Sequence, residues 1–256
     1  MVISAAPAAE VTRPRTALVT GASRGIGRAI AERLAAEGYD VTISARDRTS
    51  LDAVARQLSG LPSRVTVLPA NMAAPDEVDA LARAQCEFAD RLDLLVLAAG
   101  VGAAAALADD PLRRFDMQLA VNLAAPLRLV HRLLPALRAA AGSAPRTGAK
   151  IIAMASITGV ASEAGLSVYG ATKAALISLC ETITVEEAAH GVTATAISPG
   201  YVDTDMTAWM RDRLDPADMI SVQDIVELAI AVSRLSRNAV VPNIVVTRPG
   251  ARLWRA

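Results

Sequence analysis

Thr20-Gly21-Ala22-Ser23-Arg24-Gly25-Ile26-Gly27 stands between the apolar run Ala17–Thr20 and the amphipathic stretch Ile26–Ala36. Glycine spacing alone is weak evidence, but a strand before the glycines and a helix after them make the reading specific. Gly21 permits a tight turn, Gly25 allows close approach of a pyrophosphate, and Gly27 lets the helix pack against the sheet. Backbone N–H groups around Ser23 and Ile26, at the helix start, then face the anion. The combination predicts a dinucleotide-binding turn rather than an ordinary strand-to-helix connection.

The same rhythm extends outward from this turn. Short apolar or β-branched runs occur at Ala17–Thr20, Val41–Ser44, Val65–Leu68, Leu94–Leu97, Ile151–Met154, Thr193–Ile197 and Ile244–Thr247. Between them lie helical patterns at Ile26–Ala36, Ser50–Leu58, Asp76–Phe88, Phe115–Ala140, Tyr169–Ala188 and Asp224–Ser236. Repeated strand-then-helix units mean parallel strands joined by crossovers, and continuous apolar runs fit strands covered on both faces. The predicted architecture is an α/β, doubly wound Rossmann fold, a parallel sheet of about seven strands with helices on both faces. A single such domain is expected over 15–256, after a flexible tail at 1–14 that is not a convincing signal peptide. Ala141–Gly148 reads as an exposed loop. The segment 201–221 carries Met206, Trp209, Met210, Leu214 and Met219 among charges. It is long for a loop in a compact domain and is expected to be a substrate lid.

Composition narrows the function. The chain has 26 basic and 26 acidic side chains and is 53% hydrophobic, which excludes a disordered chain and disfavours a nucleic-acid binder. No apolar run is long enough to cross a bilayer, so no membrane partner is expected. Cys86 and Cys180 stand far apart and form no CxxC, so neither a disulfide framework nor a metal site is expected, and a cytoplasmic location is the simplest. The only lysines are Lys150 and Lys173. Lys150, beside an apolar run, reads as a solvated residue at a strand start.

The end of the second strand should meet the adenosine ribose, where an acidic residue would select NAD. The sequence there is Ser44-Ala45-Arg46-Asp47, with Ala45 where the acid is expected. Arg46, with Arg24 from the glycine turn, offers guanidinium groups to a 2′-phosphate, which favours NADP(H) and leaves NAD(H) possible. A shift of two residues would put Asp47 at the ribose and reverse the preference.

Tyr169 and Lys173 are spaced i, i+4 on one helix face. Ser156 precedes Tyr169 by thirteen residues, just past the fifth strand, and Asn122 lies within an earlier long helix. With TGASRGIG at Thr20–Gly27, YGATK at Tyr169–Lys173 and Pro199-Gly200, these residues resemble the classical short-chain dehydrogenase/reductase family, NADP-preferring type, over nearly the whole chain. Each residue alone has a bland reading: Ser156 as a turn cap, Asn122 as a locally bonded helix polar group, Tyr169 as a packed aromatic, Lys173 as a surface lysine. It is their joint spacing that carries the chemistry.

The resemblance implies hydride transfer between NADP(H) and a carbonyl or secondary alcohol. Carbonyl reduction needs hydride on carbon and a proton on oxygen. A phenol with a free pKa of about 10 is helped by a nearby ammonium, the role implied for Lys173 toward Tyr169. Ser156 would hydrogen-bond the substrate oxygen. Lys173 would also hold the nicotinamide ribose, Tyr169 and Asn122 would lie against the cofactor as well, and Asn122 would hold a water in a proton relay. Further implied cofactor contacts are Asn71 and Met72 at adenine, Ala99 and Gly100 after the fourth strand, and Pro199, Gly200, Val202 and Thr204 at the nicotinamide.

Three departures stand out. Leu97-Ala98-Ala99-Gly100 replaces the family's Asn-Asn-Ala-Gly, Asn71 replaces an aspartate, and Val245-Val246-Thr247-Arg248-Pro249-Gly250 replaces the usual C-terminal turn. The expected partner is a hydrophobic carbonyl or alcohol (3-oxoacyl, steroid-like or polyketide-like), in a homodimer or homotetramer. A cofactor-binding sensor or scaffold without turnover is the alternative, and a lyase or epimerase on the same scaffold is disfavoured by the spacing.

Overall fold

The computed structural model describes residues 13–250. The expected tail at 1–14 therefore lies outside the described residues except for Arg13 and Pro14, as do residues 251–256 of the expected domain. Seven strands, β1 (Thr16–Thr20), β2 (Asp40–Ser44), β3 (Val65–Val67), β4 (Leu94–Leu97), β5 (Ala149–Met154), β6 (Val192–Pro199) and β7 (Asn243–Val246), form one sheet in the order β3-β2-β1-β4-β5-β6-β7. Every neighbouring pair is parallel. The chain order reverses between β1 and β4, so the crevice at the carboxyl ends of those strands is the ligand position for this topology.

Side-chain alternation explains the two helical layers. Leu18, Leu95, Leu97, Ile151 and Ala153 point to one face and join a core with α3 (Pro75–Phe88), α5 (Ala125–Ser143) and α6 (Ser167–Glu187). Ala17, Val19, Leu94, Val96, Ile152 and Met154 point to the other and meet α1 (Gly25–Ala36), α2 (Arg48–Leu58) and α7 (Val222–Arg234). A strand buried on both sides needs apolar residues at every position, which is why these runs read as unbroken. No helix among the described residues is long and apolar enough to cross a membrane.

Two expectations need correction, besides the loop at Ala141–Gly148, whose first three residues close α5 with Ala141 buried. The first is Lys150. It is not solvated: it is 2% exposed, and its Nζ donates to Thr193 Oγ1 at 3.1 Å and to the Ser236 carbonyl at 3.2 Å. Its strand is central, flanked by β4 and β6, so even the first turn of side chains is covered. Burial, with Arg15 nearby, holds its ammonium below the usual lysine range.

The second is the long helix predicted over 115–140. It begins earlier, as α4 (Leu112–Leu119), and continues into α5 through a π turn at Ala120–Ala124. Ala125 N–H bonds the carbonyl of Ala120, five residues back. Pro126 has no N–H to offer the carbonyl of Asn122, and its ring would crowd that carbonyl in a regular helix. The wider turn relieves the conflict, and it lies at Asn122, as such turns often lie at functional sites.

Candidate active site

The glycine turn is built by steric need. Gly21 and Gly25 have φ of +67° and +55°, a region that costs a side chain about 1–2 kcal/mol. A Cβ on Gly21 would stand 2.7 Å from the Ala98 carbonyl oxygen, and one on Gly27 would stand 2.5 Å from the Gly21 carbonyl oxygen. Gly27 thus closes on the turn itself as well as on the end of β1. Thr20 Oγ1 accepts from the Ala98 and Ala99 N–H groups at 3.1 and 3.2 Å and reaches the Val96 carbonyl at 3.3 Å. That hydroxyl braces the β1–β4 crevice where the expected asparagine pair is missing.

At the end of β2, Asp47 is the N-cap of α2. Its carboxylate accepts from the N–H groups of Thr49 and Ser50 and from the Ser50 hydroxyl, and these bonds hold it below the usual carboxylate range. Arg46 is exposed and forms no ion pair among the described residues. Arg24 lies 3.6 Å from Asp205, with both side chains exposed. Asn71 bridges a turn: its N–H donates to Glu77 and its Oδ1 accepts from Ala73 N–H. Met72 is buried beside it. A cradle that Cβ atoms would fill, with a helix start behind it, fits the pyrophosphate of a dinucleotide.

Deeper in the crevice the four predicted polar residues come together. Asn122, 1% exposed, accepts from Val101 N–H at 2.9 Å and donates to the Val101 carbonyl at 2.9 Å and to Thr172 Oγ1 at 3.1 Å. Its carboxamide is therefore a clamp that ties the β4 exit to α6. Lys173 is buried and donates to the Met154 carbonyl at 2.7 Å; its Nζ lies 5.5 Å from the Tyr169 ring centroid. A Cβ on Gly100 would come within 3.4 Å of Lys173 Nζ and 3.5 Å of Asn122 Oδ1, so that strand end abuts both groups. Ser156 caps the 3₁₀ turn Ile157–Gly159 and also lines the cleft beside Tyr169.

Burial sets the protonation states. The Lys173 ammonium is pulled down to about 8 by desolvation. The Tyr169 phenol is pushed up to about 12 by desolvation, partly offset by hydrogen bonding from Ser156. Desolvation of the buried ring outweighs the hydrogen bonding from Ser156.

Ser156 and Tyr169 open onto a cleft of about 360 Å³ lined also by Gly102, Thr158, Tyr201, Met206 and Trp209. None of its lining side chains is charged at neutral pH. Residues of the predicted lid contribute: Met206, Thr207 and Trp209 come from a 3₁₀ segment at Asp205–Met210, and Thr204 with Thr207 forms its capping box. A Cβ on Gly25 would touch Thr204 Cγ2 at 3.5 Å, which places the lid base against the glycine turn. Pro199 ends β6, Gly200 N–H bonds the Val246 carbonyl, and Val202 bridges to Ile220.

The sequence pointed to the segments after Gly100, at Ile157–Leu166 and at Tyr201–Ser221 as pocket borders, but not to the individual contacts within them. Gly102 lies under the Tyr169 ring, where a Cβ would stand 3.0 Å from Cδ2. Tyr201 OH donates to Glu163 at 2.9 Å and packs edge-on to Trp209, tying the loop before α6 to the lid. Gly102 carried a faint signal as a second glycine soon after Gly100. A single Tyr–Glu pair 38 residues apart carried none.

Comparison with known proteins agrees with this geometry. The chain matches the short chain dehydrogenase family over residues 15–215. An uncharacterized oxidoreductase of Staphylococcus aureus (strain MW2) is 34% identical over 213 residues, covering 82% of this chain and 89% of the relative. Among solved structures, the NADP active-site complex of Pseudomonas aeruginosa RhlG has a TM-score of 0.81 at 29% identity, covering 91% of this chain and 93% of that one. A Burkholderia cenocepacia J2315 short chain dehydrogenase in complex with NADP has a TM-score of 0.80 at 30% identity, covering 91% and 96%. A 3-oxoacyl (acyl-carrier-protein) reductase from Agrobacterium tumefaciens C58, with NADP bound, has a TM-score of 0.80 at 28% identity, covering 92% and 93%. The chain belongs to the short-chain dehydrogenase family and is an NAD(P)-dependent dehydrogenase/reductase.

Proposed function

We propose that this chain reduces an uncharged, hydrophobic ketone to a secondary alcohol using NADPH. The observation that carries the reading is Ser156 and Tyr169 side by side at a cleft with no charged lining side chain, with Lys173 Nζ 5.5 Å from the Tyr169 ring centroid. When bound, NADPH supplies the hydride. Tyr169, held protonated at neutral pH, gives its proton to the substrate oxygen. Ser156 donates a hydrogen bond to the same oxygen as charge develops. Lys173 holds the nicotinamide ribose and the proton supply behind Tyr169, and Asn122 keeps the β4 exit in place beside it.

The cofactor would be held by the backbone of Gly21, Ser23, Gly25, Ile26 and Gly27, by Arg24 and Arg46 at the 2′-phosphate, and by Asn71 and Met72 at adenine. Ala99, Gly100, Pro199, Gly200, Val202 and Thr204 would flank the rest. The commitment of Asp47 to its helix cap and the NADP complexes of the three structural neighbours support NADP over NAD. A 3-oxoacyl thioester suits the cleft, as the Agrobacterium neighbour's substrate class does, and steroid-like or polyketide-like ketones are equally apolar. The reading includes a cytoplasmic homo-oligomer.

The test is a fluorescence titration of the purified protein with NADPH and NADH, followed by NADPH consumption with a panel of uncharged ketones. NADPH should bind at least tenfold more tightly than NADH, and Arg46→Ala should weaken NADPH about tenfold, as for loss of one charge-assisted pair. Equal binding of the two cofactors would overturn the NADP preference. Binding without turnover of any ketone would overturn the reductase reading in favour of a cofactor-binding sensor.

A further inference from the structure

Thr158 belongs to none of the motifs read from the sequence, yet it lines the cleft beside Ser156. It is 7% exposed, as is Ser156, and both line the cleft beside Tyr169. The Thr158 backbone N–H donates to Ser156 Oγ at 3.2 Å, and the Thr158 hydroxyl donates to the same oxygen at 2.9 Å. A serine hydroxyl has two lone pairs and one proton. Two donors from one neighbour fill the lone pairs and leave Ser156 only its own proton to place.

The arrangement is rigid. The Thr158 carbonyl packs against α6 so closely that a Cβ on Gly170 would stand 2.8 Å from it. Gly159 meets α6 in the same way, with a built Cβ 2.8 Å from Ala174 N and from the Lys173 carbonyl carbon. The turn that carries Thr158 is therefore seated directly on the helix that carries Tyr169 and Lys173.

We propose that Thr158 is a positioning residue: by occupying both lone pairs of Ser156 it makes that serine an obligatory donor aimed at the substrate oxygen. This rests on the ketone-reductase reading above. Accepting two hydrogen bonds also polarises the Ser156 O–H, by about 10–30% per bond in condensed-phase estimates. The Ser156 proton stays on Ser156 throughout; only the Tyr169 proton is transferred.

The kinetic test uses ethyl 4-chloroacetoacetate, an activated uncharged ketone, with NADPH. Thr158→Val keeps the shape and removes the hydroxyl. It should lower kcat about tenfold, less than the 10²–10³-fold typical of losing a whole oxyanion donor, with KM little changed. Thr158→Ser should restore most of the rate. In a Ser156→Ala background, Thr158→Val should cost nothing further, because the two residues act as one unit. An equal loss in both backgrounds, or no loss in the wild-type background, would overturn the proposal. Neutron diffraction on D2O-exchanged crystals of the full chain reads the hydroxyls without activity. The Thr158 deuterium should point at Ser156 Oγ and the Ser156 deuterium away from Thr158 into the cleft; a Ser156 deuterium directed at Thr158 overturns the proposal. If the wild type reduces no ketone, the reductase reading fails, and the neutron arm still decides the role of Thr158.

Discussion

Tyr169 and Lys173 are pushed in opposite directions by the same burial, the phenol to about 12 and the ammonium to about 8. At neutral pH the phenol is thus a proton donor in reserve, which suits reduction. Tyr169→Phe keeps the ring and removes the proton, so kcat should fall roughly 10³-fold, within the range for general acid–base catalysis, while NADPH affinity stays within about twofold because the ribose contacts survive. Single-turnover kinetics alongside the titration would separate the two.

Lys173 also taxes the fold. Its folded value lies below the unfolded value of 10.5, so the native state binds fewer protons between about 8 and 10.5. The penalty is therefore fully present below pH 8 and is relieved as pH rises through that window. Lys173→Met should unfold at higher denaturant than wild type at pH 7, by an amount on the order of 2 kcal/mol after loss of the Met154 hydrogen bond. The gap should narrow by pH 9.5, short of the range where Tyr169 titrates. A gap that stays constant with pH would mean that the lysine is not buried as a cation. The pairing of these residues was legible from spacing, whereas their protonation was not. Lys150 shows why: a lysine beside an apolar run looks the same in sequence whether its strand is at the edge or in the centre.

At the scale of elements, the seven strands and most helices fall within two residues of their periodicity, because a sheet covered on both faces leaves unbroken apolar runs. The π turn at Ala120–Ala124 escaped that reading, since hydrophobic period averages over a single wide turn. Pro126 was the local signal. Pro126→Ala would return an N–H to the helix and allow a regular α-turn, which should raise stability by up to about 1 kcal/mol relative to the proline-strained helix. It should also rotate Asn122 away from Val101, loosen the β4 exit beside Lys173 and lower kcat about tenfold, as for a misplacement of roughly 1 Å in a site. A more stable variant with unchanged kcat would show that the clamp tolerates either helix form. The glycine turn is the opposite case. Gly27→Ala drives a methyl to 2.5 Å from a backbone carbonyl with no flexible neighbour to yield, so cofactor binding should be lost and thermal stability reduced.

At the scale of the whole molecule, the doubly wound parallel sheet and the crevice at its strand ends follow from strand-helix alternation, while the substrate does not, because the cleft is assembled from loops far apart in sequence. Assembly is legible only in part. α5 and α6 are joined by the Arg138–Glu187 fork, at 2.7 and 2.6 Å. They carry Leu127, 51% exposed, and Val185, 84% exposed. Covering such a side chain contributes about 2 kcal/mol, so a chain with no net charge has little to oppose self-association through this layer. If the chain associates through this layer, a variant with Leu127→Asp and Val185→Asp should run as a single chain by light scattering, and the wild type as a dimer or tetramer. Its circular dichroism should be unchanged, because neither side chain belongs to the cores on the sheet faces. Its melting temperature should also lose the dependence on protein concentration expected of an associating wild type. An unchanged mass would remove α5 and α6 from the interface and leave the altered C-terminal segment after β7 as the element to test next.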